Sequence, residues 1–170
     1  MGMGQICASV DEIVAITKPL RQEGKVLVAV NGCFDAYHEG HNYFLSQART
    51  HGDILVALLN TDEYIRRRKG QERPLRKAAQ RLIDVAFFGG VDYACLFEEG
   101  ALIAAYKRLR PDVYCASEEY APHPIEEPTI VQGGGRVVFI TRKGSHSTTA
   151  ILKEMGKISE DKPPCPYTHG

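Results

Sequence analysis

Charge of either sign is not in excess in this sequence of 170 residues: 21 Lys and Arg stand against 21 Asp and Glu, a formal net charge of 0. That balance provides no bulk attraction to nucleic acid or to an anionic membrane surface, and it points away from both as partners. No apolar run approaches the ~18 residues that a membrane helix needs. The opening MGMGQICASV has neither the basic start nor the long apolar body of a secretion signal. Ile6 also stands where a myristoylation site wants Ser or Thr. Five cysteines (Cys7, Cys33, Cys95, Cys115 and Cys165) form no C-x-x-C pair and no regular framework, a set that reads as reduced thiols in a cytoplasmic protein. What is present is ordinary: 44% apolar and 25% charged residues, enough chain for one domain around one hydrophobic core.

Two hydrophobic periods alternate along the chain. VDEIVAITKPL predicts a short amphipathic helix interrupted at Pro19. KVLVAV (25–30) and DILVALL (53–59) are continuous apolar runs, as buried strands of a parallel sheet require, and HNYFLSQARTHG (41–52) between them has helical spacing. LRKAAQRLIDVAFFG (75–89) predicts a helix, DYACLF (92–97) a strand, ALIAAYKRL (101–109) a helix, and DVYCA (112–116) and RVVFI (136–140) two further strands. EEYAPHPIEEPT between those two is proline-rich and predicts a loop with a single helical turn. Ser147, Thr148 and Thr149 predict the start of a last helix ending near Lys157. The pattern is that of an α/β fold, a doubly wound, mainly parallel, Rossmann-like sheet with right-handed crossovers. Ligands of such sheets sit beyond the carboxyl ends of the strands, where strand order reverses. Asn31–His41, Asn60–Pro74, Ser117–Tyr120 and Arg142–Thr149 all follow predicted strands, so they are expected to meet on that rim.

The richest of these segments is NGCFDAYHEGH. Gly32 lets the backbone turn tightly or approach a ligand. His38 and His41 stand near the start of the next helix, where unpaired amides and the helix dipole favour anions. Each imidazole can donate a hydrogen bond to a phosphate oxygen. Two other readings fit this segment alone: Cys33, His38 and His41 as zinc ligands without an obvious fourth, or histidines that only cap a helix. The cluster Arg66–Lys69 is equally open, as a triphosphate-binding loop or as a solvated helix end. Ser147, Thr148 and Thr149 are either an anion site or a plain cap.

The segments NGCFDAYHEGH, ARTHGDILVALLNTDEYIRRRKGQERPL, VDYACLFEE, RPDVYCASEEY and GGRVVFITRKGSHSTTAIL, in that order, resemble the cytidylyltransferase-like nucleotidyltransferases. Within them the chain looks most like the adenylyltransferase domain of bacterial ADP-heptose synthases, over roughly residues 24–158. The resemblance implies a helical lead-in over 1–24, a nucleotidyltransferase domain over 25–158 and a C-terminal tail over 159–170. It implies catalytic roles for His38, His41 and Lys69. Asn31, Gly32, Cys33, Phe34, Arg73, Arg81, Ser147, Thr148 and Thr149 would hold the nucleotide and its phosphates. Asp35, Glu119, Tyr120, Arg142 and Lys143 would serve the acceptor. Mg²⁺ is implied as a cofactor bound mostly by phosphates and water, with no dedicated protein site. An NTP and a phosphorylated small molecule are the implied substrates, and a homodimer the implied assembly.

The resemblance breaks at Cys115-Ala116-Ser117-Glu118-Glu119-Tyr120, where the heptose enzymes have Val-Lys-Gly-Gly-Asp-Tyr. Loss of that lysine removes a cation from a phosphate site, which implies a changed acceptor, compensation by Arg142 and Lys143, or weak activity. The activity implied is transfer of a nucleotidyl group, ATP favoured, to a sugar 1-phosphate with release of pyrophosphate. A cytidylyltransferase acting on a polyol or other sugar phosphate and a non-catalytic nucleotide or phospho-sugar sensor are the alternatives.

Overall fold

The computed structural model describes residues 2–88, 90–98 and 100–141. Six strands are present: β1 (Gln5–Ile6), β2 (Leu27–Gly32), β3 (Ile54–Asn60), β4 (Tyr93–Phe97), β5 (Val113–Ser117) and β6 (Arg136–Ile140). Between them lie α1 (Val10–Gln22), α2 (Glu39–Arg49), α3 (Asp62–Lys69), α4 (Ala78–Phe88), α5 (Leu102–Leu109) and α6 (Glu127–Gln132). The sheet runs β1-β4-β3-β2-β5-β6 and every pairing in it is parallel. Such a sheet is covered on both faces, which is why β3 is buried along its whole length and β2 at its first four residues.

Strand alternation sends the covering residues to two apolar layers. Leu27, Ala29, Val56 and Leu58 face Ile13 of α1, Tyr106 and Leu109 of α5 and Ile130 of α6. Val28, Val30, Leu55 and Leu59 face Leu45 and Ala48 of α2 and Val85 of α4. Each such side chain removed from water contributes about 1.5–3 kcal/mol, so the two layers are the main stabilising term. Gly52 lets α2 hand over to β3 in little space: a Cβ there would sit 2.6 Å from Val28 Cγ2 and 2.7 Å from the Val26 carbonyl oxygen.

Chain order reverses at β2. It lies between β3 and β5, in register Asn31 with Leu58 and Val28 with Val113. The connection through α2 covers one face and that through α5 the other, so a crevice opens above the carboxyl ends of β2 and β5. The expected doubly wound α/β sheet is the one found.

Three local expectations change and one open reading is decided. Helix α1 is not interrupted at Pro19 but runs on to Gln22. The bond that proline cannot make would go to Ala15, which is exposed, so water can take its carbonyl. The basic stretch after β3 is itself a helix, capped by the Thr61 hydroxyl accepting from the Tyr64 amide. Helix α4 begins at Ala78 rather than at residue 75, because the Leu75 and Arg76 amides donate to Asp35 instead. The proline-rich segment holds a 3₁₀ turn, Glu118–Tyr120, and the short α6. In addition, Gln5–Ile6 adds a strand at the β4 edge that sequence periodicity over two residues does not reveal.

Candidate active site

The turn leaving β2 is unusual in its backbone. Phe34 and Ala36 both have positive φ, 47° and 51°, in the left-handed region that L-residues enter at a cost of about 1–2 kcal/mol each. Neighbouring groups hold them there. Gly32 makes room for the Phe34 ring, since a Cβ at that position would lie 3.2 Å from it. Between the two strained residues Asp35 is buried, with its Oδ2 2.6 Å from Arg73 Nε and its Oδ1 accepting from the Leu75 and Arg76 amides at 2.9 and 3.3 Å. Asp35 and Arg73 thus fasten the α3–α4 connection to the turn.

The turn delivers two histidines to the first turn of α2. His38 is the N-cap, and its Nδ1 accepts from the Gly40 amide at 3.0 Å. His41 reaches back, its Nδ1 accepting from the His38 amide at 3.3 Å. This is a capping box made of histidines. The rings stack with centroids 4.0 Å apart, and Phe34 and Tyr37 flank His41 at 5.3 and 5.4 Å. A neutral imidazole has one N–H and one bare nitrogen. With both Nδ1 atoms accepting backbone N–H groups, the neutral form of each ring carries its proton on Nε2. The cap therefore fixes ring orientation and tautomer together, and it produces two side-by-side N–H donors at a helix N-terminus.

On the α5–α6 side, Asn31, next to last in β2, lies within a polar cluster. Its Oδ1 accepts from the Tyr106 and Tyr114 hydroxyls at 3.0 and 2.7 Å, and its Nδ2 donates to Glu126 Oε1 at 3.4 Å. Glu126 is only 3% exposed, and burial raises its carboxyl above the ordinary value against smaller opposing hydrogen bonds from its own backbone amide, Asn31 and Tyr114.

Beneath the crevice lies Arg81 of α4, completely buried. Its guanidinium donates to the carbonyls of Cys33 at 2.6 Å, Asn60 at 2.8 Å and Arg76 at 3.1 Å, and to Asp62 Oδ1 at 2.7 Å. One side chain thus ties the ends of β2 and β3 to the start of α3. Cys33 Sγ lies 3.5 Å from Asn60 Oδ1.

The structure thus brings Asn31, Gly32, Cys33, Phe34, His38 and His41 to one rim. It turns Asp35, Arg73 and Arg81 inward, where they hold the rim's backbone. Lys69 is half-buried at the end of α3, next to Gly70 with φ 100°. Arg67 pairs with Glu63 at 3.5 Å and Arg68 lies over the Tyr64 ring, so these two face the helix surface. Glu119 and half-buried Tyr120 occupy the 3₁₀ turn after β5, with Ala116 buried in that strand. Arg142, Lys143, Ser147, Thr148 and Thr149 lie outside the described residues.

Among the described residues, no group of three or more His, Cys, Asp or Glu side chains is arranged to hold a metal ion. Cys115 and Cys95 are buried, and burial pushes each thiol up to about 12, so neither has the thiolate character of a nucleophile. Also among those residues, no helix is long and apolar enough to cross a membrane. Tyr106, Tyr114 and Glu126 join Asn31 at the rim without having been singled out in the sequence. The tyrosines sit at positions read as core, and Glu126 stands in a segment without period. Only its place just before a helix start, beyond β5, could have pointed to the rim.

The model of cytidylyltransferase-like proteins matches residues 29–154. The bifunctional protein HldE of Geotalea uraniireducens (strain Rf4) is 39% identical over 155 residues, covering 89% of this chain and 32% of that protein. That of Campylobacter curvus (strain 525.92) is 37% identical over 141 residues, 82% of this chain and 30% of its own length. The chain thus spans about a third of the length of these curated relatives. Among solved structures, the lipopolysaccharide core biosynthesis protein from Thermoplasma volcanium GSS1 superposes with a TM-score of 0.60 at 24% identity, over 72% of this chain and 100% of that one. Pantothenate synthetase from Thermus thermophilus gives 0.57 at 14% identity, over 81% of this chain and 61% of that one. At these identities the two structures establish the shared fold.

Proposed function

The chain belongs to the cytidylyltransferase-like family, and from that premise we propose that it is a nucleotidyltransferase joining an NTP to a sugar 1-phosphate. ATP is the favoured nucleotide and a heptose 1-phosphate the leading acceptor, giving an NDP-sugar and pyrophosphate. The observation that carries this reading is the stacked pair His38 and His41 in the capping box that opens α2, which leaves Nε2 of each neutral ring as its N–H donor.

In this reaction an oxygen of the acceptor phosphate bonds to the nucleotide α-phosphorus. The bond from that phosphorus to the bridging oxygen breaks, and pyrophosphate leaves with the electron pair. The nucleophile is already ionised, so no protein base is needed, and catalysis rests on alignment and charge stabilisation. The two Nε2–H groups donate to the transferring and leaving phosphoryl oxygens. Lys69 adds charge at the triphosphate, and Ser147, Thr148 and Thr149 its remaining donors. Arg142, Lys143, Glu119 and Tyr120 serve the acceptor. Mg²⁺ enters as part of the substrate, as Mg–NTP, held mostly by phosphate oxygens and water.

A matrix of four ribonucleoside triphosphates against a panel of sugar and polyol phosphates, with Mg²⁺ and pyrophosphate as the readout, tests the proposal. Acceptor-dependent pyrophosphate is expected with ATP and a sugar 1-phosphate. A response confined to CTP and polyol phosphates would change the substrate class. Silence with nucleotide binding intact would make the chain a non-catalytic binder.

For the assembly, a C₂ homodimer is proposed. In AFFGGVDYACLF, Val91, Ala94, Cys95 and Phe97 are core residues, whereas Phe87 is 63% exposed, with Ile83 at 44% one turn before it on α4. These two are the contact proposed. Sedimentation showing only monomer at micromolar concentration would remove the dimer.

A further inference from the structure

Glu126 is a carboxyl buried at the carboxyl rim of the sheet, just ahead of α6, with no cation beside it among the described residues. Its hydrogen-bond partners are neutral: the Asn31 amide at a long 3.4 Å and its own backbone amide, since the one proton of the nearby Tyr114 hydroxyl goes to Asn31 Oδ1. The other buried carboxylates among the described residues behave differently, as Asp35 is met by Arg73, and Asp84 by Arg76 at 2.9 Å. Removing a charged group from water without a cation is costly and contributes nothing to packing. An under-bonded buried carboxyl in a crevice suggests a ligand that completes it.

The neighbouring amide narrows the chemistry of that ligand. Asn31 Oδ1 already accepts two tyrosine hydroxyls, which fixes the amide's orientation and leaves Nδ2 as the side toward Glu126. An amide carries two N–H groups, and only one goes to Glu126. A carboxylate acceptor next to an N–H donor matches a group that both donates and accepts: a hydroxyl. A phosphate would be repelled by the carboxylate.

We propose that Glu126, aimed by Asn31, is a specificity-determining residue that hydrogen-bonds a sugar hydroxyl of the substrates, either of the ribose or of the acceptor sugar. The proposal takes its ligands from the nucleotidyltransferase reading, but it is tested by binding rather than by turnover. Titration calorimetry on the full chain compares wild type with Glu126→Gln, which keeps the volume and removes the charge. One arm uses ATP, 2′-deoxyATP and 3′-deoxyATP. The other uses mannose 1-phosphate and its 2-, 3- and 4-deoxy forms.

Wild type is expected to favour the parent of one arm over one of its deoxy forms by about tenfold or more, and Glu126→Gln to bring that ratio to within about twofold. The arm that responds identifies the sugar. Glu126→Gln is expected to melt no lower than wild type at pH 7, because no ion pair among the described residues is lost. Wild type binding every deoxy form as well as its parent would overturn the proposal. So would Glu126→Gln weakening all probes alike or melting well below wild type. Absence of pyrophosphate release alongside a preserved hydroxyl ratio would instead remove the nucleotidyltransferase reading and leave Glu126 its role.

Discussion

Alanine at His38 or His41 is expected to lower turnover by at least about a hundredfold, the loss of ~3 kcal/mol that follows removal of one preorganised donor at a developing charge. Stability responds differently. Both rings are capping groups for α2, and loss of a cap costs about 1 kcal/mol, so the alanine variants should fold with modestly lower melting temperatures. Capping and catalysis can be separated. Asn at position 38 is a good N-cap acceptor, and Gln at position 41 retains the reach back to the N-cap amide. His38→Asn and His41→Gln should therefore regain stability without regaining turnover, because neither presents an imidazole Nε2–H. Pyrophosphate release at the wild-type rate from either conservative variant would show that the histidines serve the helix alone.

The second large effect is expected at Arg81, far from any reacting atom. Arg81→Met keeps most of the apolar stem but removes donors from three backbone carbonyls and from Asp62, all under the crevice. Breaking a buried pair from one side costs about 3–5 kcal/mol, a large share of the roughly 5–15 kcal/mol by which domains are stable. The urea midpoint should fall accordingly, with the slope of the transition unchanged. Activity should fall with it even where the variant is folded, since Cys33 and Asn60 lose their common anchor. A destabilisation below about 1 kcal/mol would mean that water replaces the guanidinium and that the rim does not depend on it.

The sheet was legible in the sequence because burial on both faces leaves nothing but apolar residues in its central strands, as in Leu27–Val30 and Ile54–Leu59. His38 and His41 were legible because spacing and position after a strand converge on one helix start. Arg81 shows where such reading ends. An arginine in an amphipathic helix looks the same whether it faces water or phosphate or is entirely buried, and only the meeting of three chain segments around it decides. Asp35 is similar: its partners lie 38 to 41 residues away, across three elements. The cluster of Asn31, Tyr106, Tyr114 and Glu126 spans up to 95 residues, and no local pattern encodes it.

Glu126 also gives the fold an inverted response to acid. Its carboxyl is held above the ordinary value of 4.5, so it binds a proton more tightly folded than unfolded. Folding then takes up a proton at this position, and linkage sets the sign: the residue's share of stability is complete below pH 4.5 and is lost as pH rises through the folded-state value. Carboxylates stabilised by ion pairs act in the opposite direction. Wild type and Glu126→Gln should accordingly melt together in acid and separate toward neutral pH, with the glutamine form above. Above its folded-state value the ionised carboxyl would hold stored electrostatic free energy, which a hydroxyl-bearing ligand releases on binding.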